Sequence, residues 1–172
     1  MKLLVIGGGG REHAIIKTLK KNPAVEEIFC LPGNGGIAAD ATCVPIGAKD
    51  IPAQVKFATE NGIDYAVVAP DDPLALGAVD ALTEAGIPCF GPDKKAAIIE
   101  SSKAFSKDLM KKYGIPTASY EVFTDVASAE ACIDAGTAPV VVKADGLALG
   151  KGVIIAQTKE EAKAAVRSMM VD

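Results

Sequence analysis

The sequence predicts an α/β fold in which a doubly wound parallel sheet is covered by helices on both faces. Apolar residues make up 49% of the 172 residues and charged residues 23%, which is the profile of a globular protein. Only 5% of the residues are aromatic and there is no Trp, so the core must consist mainly of Val, Ile, Leu and Ala. Such a core suits parallel strands, because they are buried on both faces.

The first hundred residues alternate between short apolar runs and helical patterns, which indicates parallel strands joined by right-handed crossovers. The apolar runs predict five strands, over residues 3–6, 28–31, 42–46, 65–69 and 88–91. Between them, helices are predicted over residues 11–21, from an N-cap at Asp50 to about residue 61, and from the turn at 70–73 to residue 85. Asn22-Pro23 closes the first helix, and Gly86 ends the third.

Beyond Pro92 the regular alternation of apolar runs and helical patterns ends. Two predicted helices, 94–100 and 103–113, are followed by Gly114-Ile115-Pro116, a pattern that stops a helix. The remaining pattern predicts a strand at 119–123, a helix at 127–135, strands at 139–142 and 153–156, and a final helix that reaches residue 170. We therefore expect two domains, residues 1–100 and 101–172, with the boundary near residues 100–116.

Composition also excludes several classes of function. The net charge is −4 and no basic stripe is present, so nucleic acid is not expected as a partner. The four cysteines are far apart and form no C-x-x-C pair, which argues against structural zinc and indicates free, mostly buried thiols in a reducing cytoplasm. No apolar run approaches the length of a membrane span, and the N-terminal run reads as a strand rather than a signal peptide.

Four consecutive glycines, Gly7 to Gly10, join the first strand to the first helix, directly before Arg11-Glu12-His13. A helix N-terminus with accessible amides favours anions, and an Arg can hold a phosphate bidentately. The dinucleotide fingerprint is broken, because Glu12 or His13 stands where its third glycine should be. We therefore favour a phosphate site over NAD binding. The alternative is a solvated Arg11 and a His13 that packs against the sheet.

Two further turns follow the carboxyl ends of predicted strands, where open α/β sheets bind ligands. These are the segment 32–36, which begins Pro32-Gly33-Asn34, and the segment Pro70-Asp71-Asp72-Pro73. The carboxylates would suit hydrogen bonds to sugar hydroxyls. Simple turn chemistry explains both segments equally well.

A lysine and a second glycine loop mark the C-terminal part. Lys143 ends the apolar run of residues 139–142, and a buried ammonium needs an anion, either Asp145 or a ligand phosphate. The loop that follows contains Gly146, Gly150, Lys151 and Gly152, but its spacing fits neither a Walker A loop nor a kinase loop. We favour a loop that closes over a polyphosphate rather than a plain hairpin turn.

Taken together, these segments resemble the glycinamide ribonucleotide synthetase family, the phosphoribosylamine–glycine ligases. The resemblance rests on motifs that follow the family's order over almost the whole chain: Val5–Ala14, Pro32–Asn34, Phe90–Pro92, Ser102–Phe105, Val142–Ala148 and Gly150–Val153. It implies a Rossmann-like substrate-binding domain over residues 1–100. Residues 101–172 would then be a linker and the beginning of an ATP-grasp domain.

The resemblance also implies a reaction and a set of binding residues. ATP would phosphorylate glycine, and 5-phosphoribosylamine would attack the glycyl phosphate to give glycinamide ribonucleotide, ADP and phosphate, in the cytoplasm. The implied substrate-binding residues are Gly9, Gly10, Arg11, Glu12, His13, Pro32, Gly33, Asn34, Pro70, Asp71 and Asp72. The implied ATP-binding residues are Lys103, Lys143, Gly146, Gly150, Lys151 and Gly152.

In similar enzymes the magnesium ligands and further nucleotide and glycine contacts lie well C-terminal to the glycine loop. We therefore expect the catalytic residues to lie beyond Asp172, the last residue of the sequence. It follows that we expect no metal ligand within the chain and no ligation by the chain alone. Two other functions stay open: another purine or biotin-type ATP-grasp enzyme, and a non-catalytic module that binds a sugar phosphate.

Overall fold

The computed structural model describes residues 1–148 and 152–171, which divide into two compact units over residues 1–98 and 99–172. The first unit contains five strands: β1 (Lys2–Gly7), β2 (Glu27–Pro32), β3 (Thr42–Cys43), β4 (Tyr65–Val68) and β5 (Cys89–Phe90). All neighbouring strands are parallel, in the order β3-β2-β1-β4-β5. The predicted α/β class with a parallel sheet is confirmed. The strand order reverses beside β1, which is where such sheets bind ligands.

The central strand β1 explains why the unit folds around this sheet. Leu4, Val5 and Ile6 are fully buried, and alternate residues of the strand face two separate apolar clusters. Full burial of one such side chain stabilises the fold by roughly 1.5–3 kcal/mol. β1 pairs with β2 along its whole length, from Lys2 opposite Glu27 to Gly7 opposite Pro32. This register aligns the carboxyl ends of the two strands at one edge.

The helices of this unit are α1 (Gly10–Leu19), α2 (Ile51–Glu60), α3 (Asp71–Leu76), α4 (Ala78–Glu84) and α5 (Lys94–Ser101). The boundary between the units falls within α5, between residues 98 and 99. A 3₁₀ turn is formed by Ile37–Ala39. Asp50 caps α2 as predicted, accepting a hydrogen bond from the amide of Ala53 at 3.2 Å. The single helix predicted up to residue 85 is wrong. Gly77 has a φ of +93°, a left-handed conformation that ends α3 and separates it from α4. The third strand is also shorter than predicted.

The second unit contains α6 (Lys103–Lys112), α7 (Val126–Ala135), β6 (Val140–Lys143), β7 (Val153–Ala156) and α8 (Lys159–Val171). β6 and β7 form an antiparallel pair, and α7 and α8 pack against each other. Small side chains form its core, including Ala129, Ala156, Ala162, Ala165 and Val166. Among the described residues, no helix is both long and apolar enough to cross a membrane.

Three further expectations from the sequence are wrong in detail. Residues 119–123 form no strand, because no neighbouring strand pairs with them in the described ranges; instead the hydroxyl of Tyr120 donates to Asp108 of α6 at 2.6 Å. The strand that ends at Lys143 is not buried, since Val141 is 49% exposed. Of the four free cysteines only Cys30 is buried, and Cys132 is exposed.

Candidate functional site

Three turns follow the carboxyl ends of β1, β2 and β4, and direct contacts join them. The amide of Gly33 donates to the carbonyl of Gly7 at 3.1 Å, and the side-chain amide of Asn34 donates to the carbonyl of Gly8 at 2.7 Å. The predicted turns at 7–10 and 32–36 are therefore in contact.

The first turn requires glycine at two positions, because backbone of the second turn lies close to one of them and side chains lie close to the other. A Cβ on Gly8 would lie 2.6 Å from the carbonyl oxygen of Gly33. Gly7 has a φ of +126°, and a Cβ there would lie 2.8 Å from Cγ of Pro70 in the third turn. Gly10 differs, since nothing lies within 4 Å of a Cβ built on it. The glycine run thus packs against both neighbouring turns and is open at its helical end.

The side chain of Glu12 packs beneath this turn. Its side chain is 3% exposed, and Oε2 accepts a hydrogen bond from the amide of Gly9 at 2.5 Å. Oε1 is buried and has no hydrogen-bond partner among the described residues. A Cβ on Gly7 would lie 2.6 Å from Cγ of Glu12, so the side chain fills the space beneath the turn. Glu12 therefore caps α1, and its side chain is not open to solvent.

Arg11 and the start of α1 are the accessible parts of the turn. The Arg11 side chain is 69% exposed, and its Nε lies 3.9 Å from Oε1 of Glu12. Within residues 1–148 and 152–171 we find no acceptor for the amides of Gly10 and Arg11. The first two residues of α1 thus offer two amides, the helix dipole and an exposed Arg side chain, a combination that favours an anion.

His13 has a carboxylate partner that the sequence did not indicate. Its Nε2 lies 2.8 Å from Oδ2 of Asp40, whose Oδ1 accepts from Nζ of Lys20 at 2.9 Å. Hydrogen bonds from His13 and Lys20 lower the pKa of Asp40 to about 2. The other side of the ring faces the second turn, with Nδ1 3.4 Å from a Cβ built on Gly36. His13 thus links α1 to the turn after β2. Asp40 follows Asn34 by six residues, and no local pattern ties it to His13.

The predicted sugar contacts are partly occupied by the protein itself. Oδ1 of Asn34 accepts from the amides of Gly36 and Ile37, at 2.8 and 2.9 Å, and so begins the 3₁₀ turn. Asp72 forms an ion pair with Lys49, whose Nζ lies 2.7 Å from Oδ2. Asp71 begins α3 without such a partner in the described part of the chain. Of the two carboxylates, Asp71 is the more available for a ligand.

In the second unit, one face of the β6–β7 pair is uncovered and contains Lys143. Val141 lies opposite Ile155, and Lys143 lies opposite Val153. On this face Val141 is 49% exposed, Ile155 is 65% exposed and Val153 is 40% exposed. The glycine loop is closed at its base, where the amide of Ala144 donates to the carbonyl of Gly152 at 2.9 Å. Gly150 and Lys151, predicted to bind ATP, lie outside the described residues.

Lys103 and Gly146, both predicted to bind ATP, are in contact. The ammonium of Lys103 donates to the carbonyl of Gly146 at 2.6 Å. Asp145, which the sequence offered as a partner for Lys143, instead accepts at the start of α6 from Ser102 and from the amides of Lys103 and Ala104. Partial burial alone raises the pKa of Asp145, but these hydrogen bonds outweigh it and bring the pKa below its usual range.

Among the described residues, no group of three or more His, Cys, Asp or Glu side chains is arranged to hold a metal ion. The catalytic residues are expected beyond Asp172, and Asp172 itself lies outside the described residues, so that expectation stays a prediction. The two units offer different chemistry. The first provides amides, an Arg and the carboxylate of Asp71. The second provides two lysines and a glycine loop that suit a polyphosphate.

Comparison with known proteins identifies relatives of both units. The family model for the N domain of phosphoribosylglycinamide synthetase matches residues 1–100, and the model for its ATP-grasp (A) domain matches residues 101–172. The chain is 50% identical to phosphoribosylamine–glycine ligase of Streptococcus suis, covering 100% of this chain and 41% of that protein. It is 51% identical to the ligase of Allochromatium vinosum, covering 99% of this chain and 40% of that protein. The chain thus spans about two fifths of the length of these relatives.

Solved structures show the same relationship. The crystal structure of phosphoribosylamine–glycine ligase from Thermotoga maritima matches with a TM-score of 0.75 and 34% identity, over 95% of this chain and 38% of that one. An ADP complex of N5-carboxyaminoimidazole ribonucleotide synthetase matches with a TM-score of 0.76 and 18% identity, over 98% of this chain and 44% of that one. At this low identity the second match shows a shared fold only.

Proposed function

We propose, from the premise that this chain belongs to the phosphoribosylglycinamide synthetase family, that it forms part of an ATP-dependent ligase which joins 5-phosphoribosylamine to glycine. In this reaction an oxygen of the glycine carboxylate attacks the γ-phosphorus of ATP, and ADP leaves. The amine of phosphoribosylamine then attacks the carbonyl carbon of glycyl phosphate. The C–O bond to phosphate breaks, and the amine loses a proton.

The observation that carries the proposal is the accessible anion site at the start of α1. Arg11 is exposed beside two amides that have no acceptor among the described residues, at the point where the strand order reverses. We assign the phosphate of phosphoribosylamine to this site, and its ribose hydroxyls to the third turn at Pro70 and Asp71. The walls of this phosphate site would be formed by Gly9, Gly10, Pro32, Gly33 and Asn34.

Glu12 and His13 have other tasks in this proposal. Because Glu12 caps α1 beneath the turn, it fixes the amides instead of touching the sugar phosphate. His13 is bound to Asp40 and faces Gly36, so it holds the second turn against α1. Asp72 is paired with Lys49 and orients the start of α3.

We assign the nucleotide to the second unit. Lys143 lies on an uncovered face with Val141, Val153 and Ile155, which combines a cation with apolar surface, as an adenine nucleotide requires. Gly146 and Gly152 lie at the two ends of the glycine loop, and Lys103 of α6 contacts the first of them through its ammonium. Gly150 and Lys151 belong to the same loop in the sequence, and we assign all five residues to ATP. Magnesium would accompany ATP, but no described cluster fits it, so we derive no step from a metal.

The proposed domain division follows from these assignments. Residues 1–100 would form the substrate-binding domain, and residues 101–172 a linker and the beginning of the ATP-grasp domain. The extents of the two matching family models and of the two compact units support this division. The proposed compartment is the cytoplasm, where its free thiols stay reduced.

A coupled assay of ADP release tests the function on the complete polypeptide encoded by the reading frame. We expect release only when phosphoribosylamine and glycine are both present, with either one omitted as the control. The same assay on the 172-residue chain tests our expectation that it does not turn over alone. Release that depends on bicarbonate in place of glycine would contradict the proposal and favour a carboxylating relative of the same fold.

A further inference from the structure

Residues 102–104 and 145–146, about forty positions apart in the chain, exchange polar contacts in both directions. The carboxylate of Asp145 accepts from the Ser102 hydroxyl at 3.0 Å and from the amides of Lys103 and Ala104 at 2.6 and 3.2 Å. In return, the ammonium of Lys103 donates to the carbonyl of Gly146 at 2.6 Å. We name this arrangement the 102–146 clamp.

The clamp does more than cap a helix. Ser102 already caps α6 by accepting from the amide of Phe105 at 3.1 Å. Asp145 adds a full negative charge beside the same helix N-terminus, where the amides and the helix dipole stabilise it. Because Asp145 precedes Gly146 directly, any movement of the loop base away from α6 must break these charge-assisted hydrogen bonds.

The clamp also restricts the Lys103 side chain. A lysine has a long, flexible stem and loses rotamer entropy when its ammonium is fixed. Here its backbone amide is held by Asp145, and its ammonium is held by the residue after Asp145. An ammonium has three N–H donors, so the bond to Gly146 leaves two for a phosphate.

We propose that Asp145 is a positioning residue for nucleotide binding, which keeps Lys103 and the beginning of the glycine loop together so that both meet the phosphates as one unit. This inference rests on the proposed function, because it takes Lys103 and Gly146 as nucleotide contacts. Asp145 itself touches no nucleotide in this scheme.

The test compares Asp145→Ala with a matched variant, Asp125→Ala. Asp125 caps α7 in the same unit, accepting from the amide and the hydroxyl of Ser128, both at 2.8 Å, and forms no hydrogen bond with the described loop residues 144–148 and 152. The first measurement is amide hydrogen exchange of the 172-residue chain, followed in peptides that cover residues 102–106 and 144–148. We expect Asp145→Ala to accelerate exchange in both peptides and Asp125→Ala to leave both unchanged.

The second measurement is the KM for ATP in the complete polypeptide. We expect Asp145→Ala to raise it by about tenfold, the effect of one lost charge-assisted hydrogen bond, and Asp125→Ala to change it less than about twofold. Asp145→Asn keeps one acceptor oxygen and the side-chain volume, so it should restore part of the affinity. If the alanine variant does not fold, the asparagine variant is measured against Asp125→Asn.

The outcomes distinguish a failure of the inference about Asp145 from a failure of the proposed function. Faster exchange in peptide 102–106 alone would overturn the inference, because Asp145 would then cap α6 without holding the loop. An equal KM for the Asp145 and Asp125 variants would overturn it as well. An unaltered enzyme that releases no ADP from ATP contradicts the proposed function instead, and is recognised before any variant is compared.

Discussion

The carboxylate of Glu12 folds back beneath the turn before its own helix and accepts the amide of Gly9 at 2.5 Å. This relationship supports our preference for a phosphate site over a dinucleotide site in the glycine-rich turn after the first strand. In the dinucleotide fingerprint the third glycine allows helix and strand to pack closely. In this chain the buried side chain of Glu12 occupies that region and accepts the amide of Gly9, the residue before α1.

The packing of Glu12 against Gly7 predicts a sharp contrast between two glycines of one run. Gly7→Ala should destabilise the fold by about 2–4 kcal/mol, because its φ is +126° and its Cβ would meet Glu12 and Pro70. Gly10→Ala should be neutral or slightly stabilising, since it adds a helix former in open space. Urea unfolding measures both. Equal stability of the two variants would disprove the described packing.

The buried carboxylate of Glu12 predicts different results for two substitutions. Glu12→Gln keeps an oxygen that can accept from Gly9 and removes a buried charge, so the unfolding free energy should stay within about 1 kcal/mol of the original. Glu12→Ala leaves the amide without its acceptor and opens a cavity, and should cost about 1–3 kcal/mol. Chemical denaturation of both variants checks this, and an alanine variant as stable as the glutamine variant would refute the capping role.

The exposed guanidinium of Arg11 predicts how a sugar phosphate is recognised. Arg11→Met should weaken binding of ribose 5-phosphate by about tenfold or more, because a bidentate charged contact is lost. Lys17→Met is the control: it removes a cation, 62% exposed, from the same helix but away from the turn, and should change affinity less than about twofold. Isothermal titration calorimetry measures both constants. If Lys17→Met weakened the binding of ribose 5-phosphate more than Arg11→Met did, only the general positive charge would matter for binding.

The ion pairs of Asp40 predict a pH dependence of stability. Its pKa is about 2 in the folded chain, against an ordinary value of 3.8, because His13 and Lys20 donate to the ionised form. The ionised carboxylate therefore stabilises the fold above about pH 4, and this contribution is lost as the pH falls toward 2. The stability difference between the original chain and Asp40→Asn should shrink over that range.

Urea unfolding at a series of pH values measures this difference. Lys20→Met removes only the second of the two main hydrogen bonds, so its pH-dependent loss should be smaller than that of Asp40→Asn. A difference between the original chain and Asp40→Asn that stays constant from about pH 5 to about pH 2 would contradict the assigned cause.

Much of the first unit could be predicted from the sequence because its signals are local. Apolar runs marked all five strands, and Asp50 marked the start of α2. The three turns could be located because each directly follows a buried strand. Local signals failed at Gly77, where a glycine inside a helical pattern takes a left-handed conformation. They failed again at residues 119–123, because a strand exists only when another strand pairs with it.

By itself, the sequence determined the five strands of the first unit, the N-cap of α2 and which turns contain glycine, since these depend on neighbours within a few residues. Only the tertiary structure decided which distant groups meet. It brought Asp40 to His13, which is 27 residues away along the chain. It also brought Asp145 to the start of α6, about 40 residues away. The physical reason is that a carboxylate has no preferred partner in the sequence. Its partner is the donor that packing of the backbone brings within hydrogen-bond distance.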